Sequence, residues 1–350
     1  MKGLWWKILT VLILLYVVIF SFIVPLRPDI SKLSNTNLSI GYNTVTATGY
    51  NTAFDKYTNN ISGYISYEKK AIACLNNIKA TNNQEITFTV NIPKELPAKN
   101  LHLNLSTPDY TIFAPEIIKV YEADKTESFT PANCETVNST NKSLGFPNRL
   151  LLNETIRNLM FHVPMWFTMM VLLFLSFLSS IRYLNGFNLA HDLKASQAVN
   201  IGLLFAVLGI ITGAIWAKFT WSDHTPLFSL TGWWANDVKL NGAAISTLIY
   251  IAYRILRSSI SDEHQRAKVS AVYNIFAFVL MLVFIMILPR IYDSLHPGNG
   301  GNPAFGAYDL DNTLRMVFYP AVIGWIGLGI WILQIKVRLE KLNNTINDSY

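Results

Sequence analysis

Long apolar runs alternate with polar connections along this chain. Five of them cover residues 8–24, 163–181, 199–217, 269–288 and 316–335. Each has the roughly 17–25 residues that a helix needs to cross a bilayer. A shorter run, 240–253, is followed by Arg254 and Arg257, whose long side chains can reach the interface and extend it. The pattern predicts six transmembrane helices. Residues 26–156 have another texture: rich in Asn, Thr and Ser, with no spanning run. Glu85–Ile92 alternates, placing Ile86, Phe88, Val90 and Ile92 on one face. Leu101, Leu103 and Leu105 repeat the period, and 117–121 is a further strand candidate. Period-two runs broken by Pro and Asn predict a small β domain. The expected fold is an all-α polytopic membrane protein of six transmembrane helices with an inserted extracytoplasmic β domain. The first helix lies in 1–25, the β insertion in 26–156, and five helices in 157–350.

Composition agrees with a bilayer. Apolar residues make up 51% and charged residues only 14%, against a soluble norm of roughly a quarter charged. The net charge of +6 is not a nucleic-acid signal, because no basic stripe is interleaved with stacking aromatics. Lys and Arg instead set the orientation. With the N-terminus inside, the inner segments hold Lys2, Lys7, Arg182, Lys194, Arg254, Arg257, Arg266, Lys268, Lys336, Arg338 and Lys341. The short outer loops hold Lys218, Lys239, Arg290 and Arg315. Both termini are therefore expected in the cytoplasm, with 26–156 outside. The first run reads as an uncleaved anchor, since it ends in Val24-Pro25-Leu26-Arg27 without a small-residue cleavage site. Cys74 and Cys134 form neither CxxC nor CxxCH. Outside the cytoplasm they can pair or remain two separate thiols.

No GxSxG, HExxH or P-loop is present, so no catalytic residue is assigned. Topology sorts the histidines instead. His191 and His264 fall in inner loops and His102 in the β domain, where a structural or solvated role is expected. His162, His224 and His296 fall at the outer face. Two histidines at one depth on different helices can approach a flat metal cofactor from opposite sides, and neutral imidazole is a common axial ligand of haem iron. Between them lie Trp216, Trp221, Trp233 and Trp234, followed by Asp237. Four indoles so close together exceed what an interfacial belt needs, and flat indoles can wall a porphyrin.

These residues resemble a known family. The run 154–164, with Arg157 five positions before His162-Val163-Pro164, looks like the Arg-x4-His-Val-Pro signature of haem-handling membrane proteins. Residues 213–221 look like the lead-in to their tryptophan-rich WWD motif, and 233–242 like its end. The chain is similar to the CcmC (haem exporter protein C) family, loosely over the first helix and well over 154–335. The resemblance implies a bacterial inner-membrane protein of cytochrome c maturation that binds haem b transiently at the periplasmic face. It implies His162 and His296 as axial ligands of the haem iron, and Trp221, Trp233, Trp234 and Asp237 as the platform. Arg157 is the implied partner of a haem propionate. It also implies delivery to the haem chaperone CcmE beside the ABC transporter subunits CcmA and CcmB. Two departures stand out: 222–231 interrupts the tryptophan motif, carrying His224 as a rival ligand, and the β insertion replaces a short loop. The alternatives are a haem lyase acting directly on apocytochrome c, and a membrane sensor or scaffold working through the β domain.

Overall fold

The computed structural model describes residues 3–68, 70–126, 129–140, 144–148, 152–221, 229, 231–296, 305–306 and 309–347. The chain divides into two compact units, 24–153 and 1–23 together with 154–350.

The first unit is β. Its strands are β1 (Asp29–Leu33), β2 (Gly41–Tyr50), β3 (Ser62–Tyr67), β4 (Lys70–Ala80), β5 (Glu85–Ile92), β6 (Glu95–Leu96), β7 (Asn100–Ser106), β8 (Thr111–Lys119) and β9 (Asp124–Lys125). Seven form one sheet in the order β1-β2-β5-β4-β3-β7-β8, with every neighbouring pair antiparallel. The sheet curls: Leu38 N–H donates to the Lys119 carbonyl at 2.9 Å, and Lys119 N–H to the Thr36 carbonyl at 2.7 Å. The chain after β1 thus pairs with β8 and nearly closes a barrel. The alternation read in β5 and β7 is the core face: Ile86, Phe88, Val90, Leu101 and Leu103 have no exposure at all. The candidate strand 117–121 is the tail of β8, which stops at Lys119. A disulfide joins Cys74 on β4 to Cys134, with Cα atoms 5.4 Å apart. Within this unit, Arg27 N–H donates to the Phe146 carbonyl at 2.7 Å and Phe146 N–H to the Pro25 carbonyl at 2.8 Å, so its first and last segments pair with each other.

The second unit is helical: α1 (Trp5–Ile23), α2 (Leu159–Gly186), α3 (Leu189–Thr220), α4 (Val238–Ser258), α5 (Glu263–Leu282), a π turn (Val283–Ile287) leading into α6 (Leu288–Ile291), and α7 (Asn312–Asn347). Among the described residues, five helices are long and apolar enough to cross a membrane: α1, α2, α3, α5 continued through α6, and α7. The sixth expected span is the helix α4, 21 residues long. It is more polar than the other five, carrying Lys239, Asn241, Arg254 and Arg257. The segment expected as an inner loop before residue 199 is instead helix. Phe187, in the left-handed conformation, ends α2, and the Asn188 side chain accepts from Ala190 N–H to start α3. His191, Asp192 and Lys194 therefore lie on α3, and His264 on α5. Asp192 takes both guanidinium nitrogens of Arg257, at 2.7 and 2.6 Å, tying α3 to α4 by a buried ion pair.

Small residues let the helices approach, as in membrane bundles generally. A Cβ on Gly324 or Gly327 of α7 would meet Leu14 or Thr10 of α1. On α3, Gly202, Gly209 and Gly213 face Leu173, Trp166 and His162 of α2 in the same way.

Candidate functional site

The starts of α2 and α4 and the ends of α3 and α6 share one end of the bundle, and Asp237 organises the residues there. As the N-cap of α4 it accepts from Lys239 N–H at 2.9 Å and Leu240 N–H at 3.2 Å through Oδ1. Its Oδ2 accepts from Leu295 N–H at 2.7 Å and from the Ser294 hydroxyl at 2.8 Å. His296 Nδ1 lies 3.1 Å from Oδ1. The Asp237 side chain is only 1% exposed. Burial pushes its carboxyl pKa up, but the hydrogen bonds from His296, Leu295 and Ser294 outweigh that and hold it well below the usual carboxylate range. An ionised carboxylate only accepts, so Nδ1 of His296 is the N–H and donates. The lone pair of a neutral ring then sits on Nε2. Trp221 packs edge-on against this imidazole, with centroids 5.0 Å apart.

His162 is seated differently and reaches the same protonation pattern. Its Nδ1 is 3.1 Å from the Thr212 hydroxyl. That hydroxyl already donates backwards along α3, to the Leu208 carbonyl at 2.8 Å and the Gly209 carbonyl at 3.1 Å. Towards His162 it offers lone pairs, so Nδ1 again donates and Nε2 is left as the basic nitrogen. The ring is buried, flanked nearly at right angles by Trp166 and Trp216 at 6.2 and 5.6 Å. Gly213 lies under it, where a Cβ would come within 2.7 Å of Cε1.

The other expected site residues take distinct places. Trp233 donates its indole N–H to the Ser229 carbonyl at 2.9 Å, and Lys218 lies over its ring at 5.7 Å from the centroid. The Lys218 ammonium also donates to the Thr231 carbonyl at 2.7 Å, pinning this loop to the end of α3. Trp234 is 42% exposed and donates to Asn241 Oδ1 at 3.1 Å. Arg157 donates to the Ser21 carbonyl at 2.6 Å and pairs with Glu154 at 2.5 Å, which joins the start of α2 to α1. His224 lies outside the described residues. Sequence reasoning missed Thr212, Trp166 and Ser294, and it read Gly213 and Lys218 only as members of the 213–221 run and, for Lys218, as an outer-loop charge. Ser294, two positions before His296, and Trp166, one helical turn after His162, had local signals, whereas Thr212, 50 positions from His162, had none.

The fold and site define a polytopic membrane protein with two anchored histidines and several tryptophans at one end of its bundle. Residues 137–349 match the family described as "CcmC: Heme exporter protein C", and the chain belongs to that family. Heme exporter protein C of Haemophilus influenzae is 26% identical over 147 residues, covering 41% of this chain and 53% of that protein. The Heme exporter protein C of Paracoccus denitrificans is 23% identical over 186 residues, covering 53% and 73%. A cytochrome c biogenesis protein CcsA of Prochlorococcus marinus is 29% identical over 97 residues, 28% of each chain. The chain thus spans about half the length of the Haemophilus relative. Residues 24–136 of the β unit lie outside the family match.

Proposed function

We propose that this protein handles haem at the periplasmic face of a bacterial inner membrane during c-type cytochrome biogenesis, binding it transiently and presenting it to a haem chaperone. The observation that carries the reading is the pair His162 and His296, each with Nδ1 engaged and Nε2 carrying the lone pair. Such a pair fits a haem, which brings four equatorial nitrogens and asks the protein only for axial donors. Bound haem would supply the iron that these nitrogens hold. Trp221, beside His296, and Trp233 and Trp234, in the connection before α4, form the wall, and Asp237 the frame. Arg157 serves a propionate only if it extends beyond its present bonds to Glu154 and Ser21. Membership of the Heme exporter protein C family supports the reading.

In this proposal α4 is the sixth span. Its 21 residues rise roughly 30 Å, enough for a hydrocarbon core. Lys239 stands at one end and Arg254 and Arg257 at the other. Both termini are cytoplasmic and the β unit is periplasmic, as the loop charges favour. The partners are the chaperone CcmE and the transporter subunits CcmA and CcmB, and the role is non-enzymatic. Direct action as a haem lyase on apocytochrome c is the alternative, kept by the likeness to CcsA. The test is the haem content of purified full-length protein, measured as the pyridine haemochrome. Wild type should carry haem and the double variant His162→Ala/His296→Ala almost none. Equal content in both would refute the site.

A further inference from the structure

The two histidines are held by partners of different chemical character. His296 gives its Nδ1 hydrogen to a buried carboxylate, Asp237, at 3.1 Å. His162 gives its hydrogen to a neutral hydroxyl, Thr212, at the same 3.1 Å. Hydrogen bonds to an ion are about twice as strong as those between neutral groups. A carboxylate behind a metal-binding histidine also raises the basicity of its other nitrogen. The two anchoring side chains are also held by different groups. Asp237 is fixed by Lys239 N–H, Leu240 N–H, Leu295 N–H and the Ser294 hydroxyl. The Thr212 hydroxyl is bonded to the carbonyls of Leu208 and Gly209 on its own helix, and the Thr212 backbone carbonyl accepts from Asn158 Nδ2, at the start of α2, at 2.9 Å.

We infer that the histidine pair is unequal by construction: His296 is the retained ligand and His162 the exchangeable one. The inference rests on the haem reading above and deepens it. A carrier that passes its cargo on must open one axial position without dropping the rest. The weaker bond supplies that opening. When His162 leaves, the electron pair returns to its Nε2 and an incoming neutral nitrogen donor takes the position. No electron or proton is exchanged. Asp237 is the positioning residue for His296, and Thr212 for His162.

The experiment uses full-length, haem-loaded protein in detergent, with free imidazole as the incoming donor. His162→Ala should keep most of its haem in a five-coordinate form that imidazole converts back to a six-coordinate spectrum. His296→Ala should lose most of its haem. Asp237→Asn keeps the side-chain shape and an N-capping oxygen, and should weaken haem retention on the order of 10–100-fold. It should also raise the haem reduction potential, a readout that a purely structural role would leave unchanged. Thr212→Val should barely move the potential, yet let imidazole replace His162 at lower concentration. Equal haem loss in the two alanine variants, or equal shifts of potential in Asp237→Asn and Thr212→Val, would overturn the inference while the haem reading stands. Wild-type protein that binds no haem would overturn both.

Discussion

Gly213→Ala disturbs the seat of His162 while leaving both imidazoles and their partners chemically intact. The new Cβ would stand 2.7 Å from His162 Cε1 and 3.3 Å from Nδ1. Ordinary contact begins at 3.4 Å, so the ring must retreat from α3 by about 0.7 Å. It has little room, because Trp166 and Trp216 flank it. The retreat would also stretch its 3.1 Å contact with Thr212 past hydrogen-bonding range. Overpacking of this kind costs about 1–3 kcal/mol. Alanine returns about 1 kcal/mol of helix propensity over glycine. The net loss of stability should therefore be small, about 0–2 kcal/mol. The His162–iron bond depends on ring placement, so the spectrum should gain a five-coordinate component while His296 keeps most of the haem. Soret absorbance per protein, followed beside thermal unfolding by circular dichroism, separates the two effects. Gly202→Ala is the control, since its Cβ would crowd the flexible Leu173 side chain, at 2.9 Å from Cδ2, and meet Leu172 Cβ at an ordinary 3.8 Å, away from both histidines. If Gly213→Ala binds haem with wild-type affinity and spectrum, His162 is not held by the close approach of α3.

Residues 24–153, expressed alone in an oxidising compartment, should be soluble and unfold cooperatively; a disordered product would show that this unit needs the helical one. Reducing the Cys74–Cys134 bridge, 60 residues apart in sequence, should lower that unit's stability by about 4 kcal/mol in a denaturant titration; no shift in midpoint would count against a stabilising role. Burial raises the Asp29 pKa to about 6. The folded unit thus holds this proton more tightly than the unfolded chain. Its contribution is full below about pH 4 and is lost as pH rises through about 6. Asp29 remains partly solvated, so the effect should be on the order of 1 kcal/mol, and Asp29→Asn should flatten it. Breaking the buried Asp192–Arg257 pair by Asp192→Ala should cost about 3–5 kcal/mol, read as a lower melting temperature of the detergent-solubilised protein. For topology, a cysteine placed at Ser259 should resist an impermeant reagent on intact spheroplasts and one at Asp293 should react; the reverse pattern would sink the orientation.

The apolar spans were legible because a bilayer imposes length and composition directly on sequence, and α1, α2, α3, α5 and α7 satisfy both. Helix ends were less legible. The start of α3 carries His191, Asp192 and Lys194, and charge in a membrane protein reads as loop. Here Asp192 is neutralised by Arg257, a partner 65 positions away that no local pattern reveals. In the β unit, β5 and β7 announced themselves because large aliphatic side chains alternate with polar ones. In β2 the buried alternate positions are Val45, Ala47 and Gly49, small side chains set between Thr and Tyr, so the contrast is weak and the strand went unread. The histidines and tryptophans were visible as residue types in the right order. What fixes their protonation was not. Thr212 lies 50 positions from His162, and its role depends on α2 and α3 packing through Gly213. Asp237 was visible beside the tryptophans, but its bonds to Ser294, Leu295 and His296 are made only when the chain after α6 folds back onto the start of α4.

The most direct test of the central claim is the absorption spectrum of the purified ferric protein, wild type beside His162→Ala, His296→Ala, His224→Ala and His191→Ala. Wild type should give a low-spin, two-imidazole spectrum. His162→Ala should shift the Soret and visible bands while keeping most of its haem, His296→Ala should shift them and lose most of it, and the last two variants should be unchanged. A wild-type spectrum from His296→Ala, together with an axial ligand lost from His224→Ala, would contradict the claim.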